Sequence, residues 1–212
     1  MKTVMIATPC HDGKLDVRYV DSLLNTMRTQ QDKYKIVPVF APGDANVCKV
    51  RNYLLKIAAD ADVDDILWVD SDMAWDPPSF FKILDDDADY VGALCRLKQD
   101  EQVLSLRLLK GSDGNPRQDG LLEVDGIGLA FTKMSKACYM QLYKKAREYT
   151  IADFHGRDVF ENTIDKGEYS GEDITACHKW RAIRGKVFAD TMVAVAHIGT
   201  KVYLVDMNGK AR

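Results

Sequence analysis

Asp65-Ile66-Leu67-Trp68-Val69-Asp70-Ser71-Asp72-Met73 sets a run of branched and aromatic residues directly before two carboxylates. A short apolar run of this kind reads as a strand buried on both faces in the middle of a parallel sheet. Side chains two apart along a strand share a face, so Asp70 and Asp72 are expected to converge at its carboxyl end. Open α/β sheets place their ligands outside those ends. Two close carboxylates repel, and both are costly to desolvate, unless a cation lies between them. A hard divalent ion with oxygen ligands, Mg²⁺ or Mn²⁺, meets that need and commonly brings a phosphate-bearing substrate. The plainer reading is an acidic turn before a helix opened by Pro77-Pro78-Ser79-Phe80-Phe81, and a bare Asp-x-Asp does not decide between the two.

The flanking sequence places this strand in a repeating pattern. Thr3 to Ala7 reads as a buried strand ending in the turn-rich Thr8-Pro9-Cys10-His11-Asp12-Gly13. Asp16 to Gln31 follows as a helix, with Val17, Val20, Leu23, Leu24 and Met27 at helical spacing. Tyr34 to Phe40 is a second strand, Val47 to Ile57 a second helix, and Asp89 to Leu94 a strand beyond the Asp pair. Strand–helix alternation of this kind predicts an α/β fold, a mostly parallel central sheet flanked by helices.

Beyond residue 100 the pattern changes. Val103–Leu109 and Leu121–Val124 read as a hairpin around a polar loop, and Gly126–Phe131 as a strand whose glycines permit close approach by a ligand or neighbour. Ser135 is placed to cap a helix running to about Tyr149. Residues 150–171 lack periodicity and are expected to form a mobile loop. Glu172 to Ile183 reads as a helix ending at Gly185, and Val187 to Ile198 as one or two strands. The expectation is a single domain, residues 1–212, with a nucleotide-binding half (1–100) and a smaller, mixed or antiparallel acceptor-side half (101–212).

Composition narrows the function classes. A net charge of -3 with scattered Lys and Arg gives no nucleic-acid surface, and no apolar run reaches membrane-spanning length. The five cysteines lie apart with no Cys-x-x-Cys, so neither a zinc knuckle nor a disulfide framework is indicated, and a reducing, cytoplasmic setting is expected.

Four further features accompany the Asp pair. Thr8-Pro9 lies at the carboxyl end of the first strand, on the sheet edge that carries Asp70, where an ordinary connecting loop is the competing reading. Arg51-Asn52 offers a guanidinium suited to oxyanions, or else a solvated helix face. Gly171-Glu172-Asp173 puts two acids at a helix start, where they complement the helix dipole or act on an acceptor hydroxyl. His197, after the apolar Val193–Ala196, is either a core histidine or a metal ligand.

Taken in order, Thr8-Pro9, Arg51-Asn52, Trp68-Val69-Asp70-Ser71-Asp72-Met73, Gly126-Ile127-Gly128, Gly171-Glu172-Asp173 and His197-Ile198-Gly199 resemble the compact GT-A glycosyltransferases, particularly the small enzymes of large viruses and phages. The resemblance covers nearly the whole chain, and its most specific part is Asp70-Ser71-Asp72. It implies a nucleotide-sugar donor, most often a UDP-sugar and here UDP-glucose as the first candidate, with Mn²⁺ or Mg²⁺ bridging its phosphates. Carried over by position, Asp70 would touch ribose or metal, Asp72 would ligate the metal, and His197 would complete the metal shell. Thr8, Pro9, Ser71 and Arg51 would line the nucleotide pocket, and Asp173 or Glu172 would face a glycan or other hydroxyl acceptor. The acceptor half is short for this family, so a further domain or partner would supply acceptor contacts. Inverting and retaining chemistry remain open.

Three alternatives compete. A haloacid-dehalogenase-type phosphatase also uses Asp-x-Asp after a strand, but on its first strand and with the first Asp as nucleophile. A sugar-phosphate nucleotidylyltransferase would carry a glycine-rich, Arg-containing loop after the first strand, which Cys10–Lys14 does not supply. A silent nucleotide-sugar-binding module would keep the pocket without turnover.

Overall fold

The computed structural model describes residues 1–29 and 32–205. Its front half runs β1 (Lys2–Cys10), α1 (Val17–Arg28), β2 (Tyr34–Pro42), α2 (Val47–Asp60), β3 (Asp65–Val69), β4 (Met73–Trp75), α3 (Pro77–Asp85) and β5 (Tyr90–Ala93). The back half continues with β6 (Leu106–Leu108), β7 (Leu121–Ile127), β8 (Phe131–Ser135), α4 (Lys136–Lys145), β9 (Glu148–Ile151), β10 (Phe154–Arg157), β11 (Thr163–Asp165) and β12 (Glu168–Ser170). It closes with α5 (Glu172–Ala182), β13 (Val187–Asp190), β14 (Val195–Ile198) and β15 (Val202–Leu204).

Eight strands form one sheet in the order β2-β1-β3-β8-β5-β13-β7-β6. β1 pairs in parallel with β2 and β3, and β13 with β5, while β8 and β7 run antiparallel to their neighbours. All the other strands of the sheet therefore point one way, the mostly parallel α/β arrangement that the alternation predicts. β3 lies in its interior, between β1 and β8, and every residue from Asp65 to Val69 is buried. Ile66 and Trp68 enter one core with Leu54 and Leu55 of α2, Tyr139 and Leu142 of α4 and Trp180 of α5. Leu67 and Val69 enter the opposite core with Tyr19 of α1, Trp75 of β4 and Phe80 and Phe81 of α3. Burial on both faces is what makes the run continuous rather than alternating.

Local chemistry accounts for the helix starts. Asp16, Asn46, Asp76 and Ser135 each accept a backbone N–H in the first turn of α1, α2, α3 and α4, and Pro77-Pro78 fills the first positions of α3.

The structure corrects several expectations. α1 buries its aliphatic face only in part: Leu23 packs against the core, but Val17 is 76% exposed and Leu24 47%, and the residues turned fully inward are Tyr19, Ser22 and Thr26. Hydroxyls dock this helix. Tyr19 meets Thr8 at 2.6 Å, Ser22 Oγ accepts the Trp75 backbone N–H, and Thr26 Oγ1 accepts the Trp75 indole N–H. α1 ends at Arg28, and the expected extension to Gln30 and Gln31 lies outside the described residues.

Residues 126–131 are not a strand. β7 runs on to Ile127, the chain turns at Gly128–Ala130, and β8 begins at Phe131. The glycines serve close packing: a Cβ on Gly128 would lie 2.2 Å from Ser105 Oγ, and one on Gly126 would lie 2.9 Å from Ile174 of α5. The hairpin partner before them is shorter than Val103–Leu109, only Leu106–Leu108. Residues 150–171 are not a structureless loop but carry two small hairpins, β9–β10 and β11–β12. After α5 the left-handed residue is Arg184, with φ 69°, and Gly185 instead admits the Trp180 ring.

Candidate functional site

The carboxyl ends of β1, β2 and β3 open onto one cleft of about 210 Å³, lined by Pro9, His11, Asp44, Val50, Arg51 and Asp70 through Asp72 among others. The crossover of the chain from β1 through α1 to β2, and through α2 to β3, leaves these three loops side by side.

The acidic pair occupies a turn, not the strand itself. β3 ends at Val69, Met73 N–H donates to the Asp70 carbonyl at 3.1 Å, and β4 starts at once. Strand alternation therefore does not orient the two carboxylates. Three remote segments hold the turn instead: Asp70 N–H donates to Ala130 O, Asp16 N–H to Ser71 O, and Ile198 N–H to Asp72 O.

Asp70 and Asp72 face different partners. Arg51, its side chain 5% exposed, donates through Nη2 to Asp70 Oδ1 at 3.0 Å and through Nη1 to Glu172 Oε1 at 2.6 Å. Burial opposes the Arg51 charge, but Asp70, Glu172 and Asp173 outweigh it and raise its pKa. The guanidinium thus ties the turn after β3 to the first turn of α5. Its neighbour Asn52 is structural: its Oδ1 accepts from the backbone N–H groups of Val159 and Phe160 and its Nδ2 donates to Phe160 O.

Asp72 meets two cationic groups. Lys98 donates to Oδ2, and His197 Nε2 lies 3.5 Å from Oδ1. The β4–β14 ladder explains how a late histidine reaches the site, since it sets His197 opposite Met73. His197 Nδ1 lies 2.8 Å from the Arg96 carbonyl, which fixes the ring and leaves Nε2 directed at Asp72. Burial opposes protonation of His197, but Asp72, Cys95 and the Arg96 carbonyl outweigh it and raise the imidazole to about 10. Burial likewise opposes charge on Asp72, yet His197 and Lys98 hold its carboxyl below the usual range. Asp72 Oδ1 is buried with no hydrogen-bond partner.

The remaining expected residues divide. Pro9 and Ser71 line the cleft. Thr8 is fully buried and touches the cleft only through its neighbours, its hydroxyl being bonded to Tyr19, whose phenol burial pushes up to about 12. Glu172 is committed to Arg51. Asp173, half-buried in the first turn of α5, accepts the Ile174 N–H and lies near Gly128, where a Cβ would stand 3.6 Å from its Oδ2.

Sequence reasoning passed over Lys98, Arg96 and Tyr19. Lys98 follows β5, a strand parallel in direction to β3, so the carboxyl-end rule applied to Asp70 would also have found it.

Among the described residues no helix is long and apolar enough to cross a membrane. No family model and no curated protein sequence matches this chain. Among solved structures, A197 from STIV is similar over 100% of this chain and 98% of its own, with 16% identity and a TM-score of 0.61. A glycosyltransferase involved in the glycosylation of the major capsid of PBCV-1 aligns over 66% of this chain and 63% of its own, at 11% identity and a TM-score of 0.39. S. aureus TarS 1-349 aligns over 91% and 58%, at 13% identity and a TM-score of 0.47. The full-length likeness to A197 from STIV shows a shared fold, and the mostly parallel α/β architecture is the one that the strand–helix alternation anticipates.

Proposed function

We propose that this chain is a glycosyltransferase that moves a hexose from a nucleotide-sugar, with a UDP-sugar such as UDP-glucose the first candidate, to a hydroxyl of a glycan or another acceptor. The observation that carries the reading is the turn Asp70–Asp72 at the carboxyl end of the buried strand β3, where Asp72 Oδ1, buried and without a hydrogen bond, lies 3.5 Å from His197 Nε2.

A divalent cation fits this pair in part. Among the described residues no three His, Cys, Asp or Glu side chains converge as a ready cage. Asp72 would offer an oxygen and His197, once an incoming ion displaces its proton, an imidazole suited to Mn²⁺, with the ring already braced by the Arg96 carbonyl. Ions of this kind keep open positions for substrate phosphates rather than relying on an all-protein cage. When bound, the cation would act as a Lewis acid toward the leaving nucleoside diphosphate.

The protein's own residues divide the remaining work. Asp72 and His197 would hold the cation, and Asp70, fixed by Arg51, would face the ribose or the same ion. Pro9, Ser71 and Arg51 shape the nucleotide side of the cleft, with Thr8 behind them. Glu172 positions Arg51, so contact with the acceptor hydroxyl falls to Asp173, as a base in an inverting enzyme or a hydrogen-bonding group in a retaining one. Residues 1–100 would bind the nucleotide and 101–212 would face the acceptor within one domain, with further acceptor contacts supplied by another domain or partner.

Asp72→Asn and His197→Ala test the assignment. Each is expected to weaken Mn²⁺-dependent UDP binding at least tenfold with far-UV circular dichroism unchanged. Parent-like binding in Asp72→Asn would remove the metal role from this site.

A further inference from the structure

Lys98 is the cationic group at Asp72 for which the proposed transfer has no role. Its ammonium donates to Asp72 Oδ2, and the lysine and aspartate side chains are each 35% exposed. The contact is presented by a built loop rather than by a free tether. Arg96, buried after β5, donates through Nη2 to Asp100 O at 2.7 Å and to Gln99 O at 3.4 Å, and its guanidinium stands 5.7 Å from the Tyr203 ring. Leu97 N–H donates to Val103 O and Ser105 N–H to Cys95 O, closing the loop around that arginine. The lysine stem crosses Gly199 just past β14, where a Cβ would approach Lys98 Cδ to 3.1 Å. Gly199 and His197 belong to the same segment, so the histidine and the lysine reach one carboxylate from a shared support.

We infer that Lys98 sets the divalent-cation affinity of this site by competing for the Asp72 carboxylate. The inference rests on the proposed metal-binding role of Asp72 and His197 and extends it to a residue that role does not include. Asp72 carries one negative charge, and Lys98 Nζ already satisfies its Oδ2. A divalent cation drawing on the same carboxylate would stand beside the ammonium, and like charges at such separation repel strongly away from bulk water. Ion binding therefore requires the lysine to give up the carboxylate. Exposure of the pair keeps this exchange modest, and loss of the competing ammonium is expected to change the affinity about tenfold.

The test is titration of Mn²⁺ alone, by calorimetry and by the electron paramagnetic resonance signal of the free ion, into the full chain and its Lys98→Met and Lys98→Arg variants. Lys98→Met is expected to bind Mn²⁺ about tenfold more tightly, and Lys98→Arg, which keeps the competing charge, to stay within about threefold of the parent. Equal or weaker binding by Lys98→Met overturns the competition while leaving Asp72 and His197 as ligands. Absence of Mn²⁺ binding in every variant overturns it together with the metal reading beneath it. Thermal melting of each variant establishes that the binding comparison is made between folded proteins.

Discussion

Arg51→Met should be among the most damaging single changes in the molecule. The side chain is buried and sits 2.6 Å from Glu172 and 3.0 Å from Asp70. Removing one partner of a buried ion pair costs about 3–5 kcal/mol, because the charges left behind have lost their solvation without compensation. Here Asp70 is 32% exposed and regains part of its hydration, while Glu172 at 15% regains little. The expected loss is therefore about 2–4 kcal/mol. Methionine fills the space of the arginine stem, so the change reports on charge more than on a cavity. Urea unfolding followed by tryptophan fluorescence and circular dichroism measures it. The double variant Arg51→Met/Glu172→Gln should recover about 1 kcal/mol or more, because the more deeply buried orphan charge is gone. A loss below about 1 kcal/mol in the single variant, or no recovery in the double, would refute the idea that Arg51 neutralises both acids.

Two other perturbations probe the framework. Asn52→Ala strips the partner from the buried N–H groups of Val159 and Phe160 and from the Phe160 carbonyl, and should cost about 2–4 kcal/mol in the same unfolding assay, with a near-neutral result contradicting the assigned bonds. Asp86 and the fully buried Asp190 share the single ammonium of Lys82; burial first, and Asp190 second against the opposing Lys82, raise Asp86 from 3.8 to about 6. A raised carboxyl binds its proton more tightly in the folded state, so its contribution is complete below pH 3.8 and lost as pH rises through about 6. Asp86→Asn should accordingly gain stability relative to the parent between pH 4 and pH 6, and a difference that is flat across that window would show that Asp86 titrates normally.

How much of this was readable in the sequence depended on the kind of signal. β3 was legible because an interior strand buried on both faces needs an unbroken apolar run, and Ile66 to Val69 supplies one directly before the acids. α1 was legible as a helix but not in its orientation. Hydrophobic spacing points to Val17, Val20, Leu23, Leu24 and Met27, of which Leu23 packs on the core, whereas the fully buried face is Tyr19, Ser22 and Thr26, whose hydroxyls find partners on Thr8 and Trp75. Periodicity counts only apolar residues and is blind to polar groups satisfied by a neighbour.

The hairpins between 148 and 170 escaped for a different reason. Their turns place Ala152 at φ 51° and Lys166 at φ 48°, residues that carry none of the Asn-Gly or Asp-Gly signature by which such turns are recognised. Their strands are only three or four residues long. At the site, the acids were found from the right place in the chain with the wrong local geometry. A turn after β3 separates Asp70 toward Arg51 from Asp72 toward Lys98 and His197, and no local pattern encodes partners drawn from α2, α5, β14 and the loop after β5.

The most direct test of the proposed transfer is calorimetric titration of UDP and UDP-glucose into the full chain, once with Mn²⁺ and once with chelator. The account predicts binding of both ligands that is present with Mn²⁺ and at least tenfold weaker with chelator. Absence of binding to either ligand in the presence of Mn²⁺ would contradict a nucleotide-sugar site in the cleft after β3.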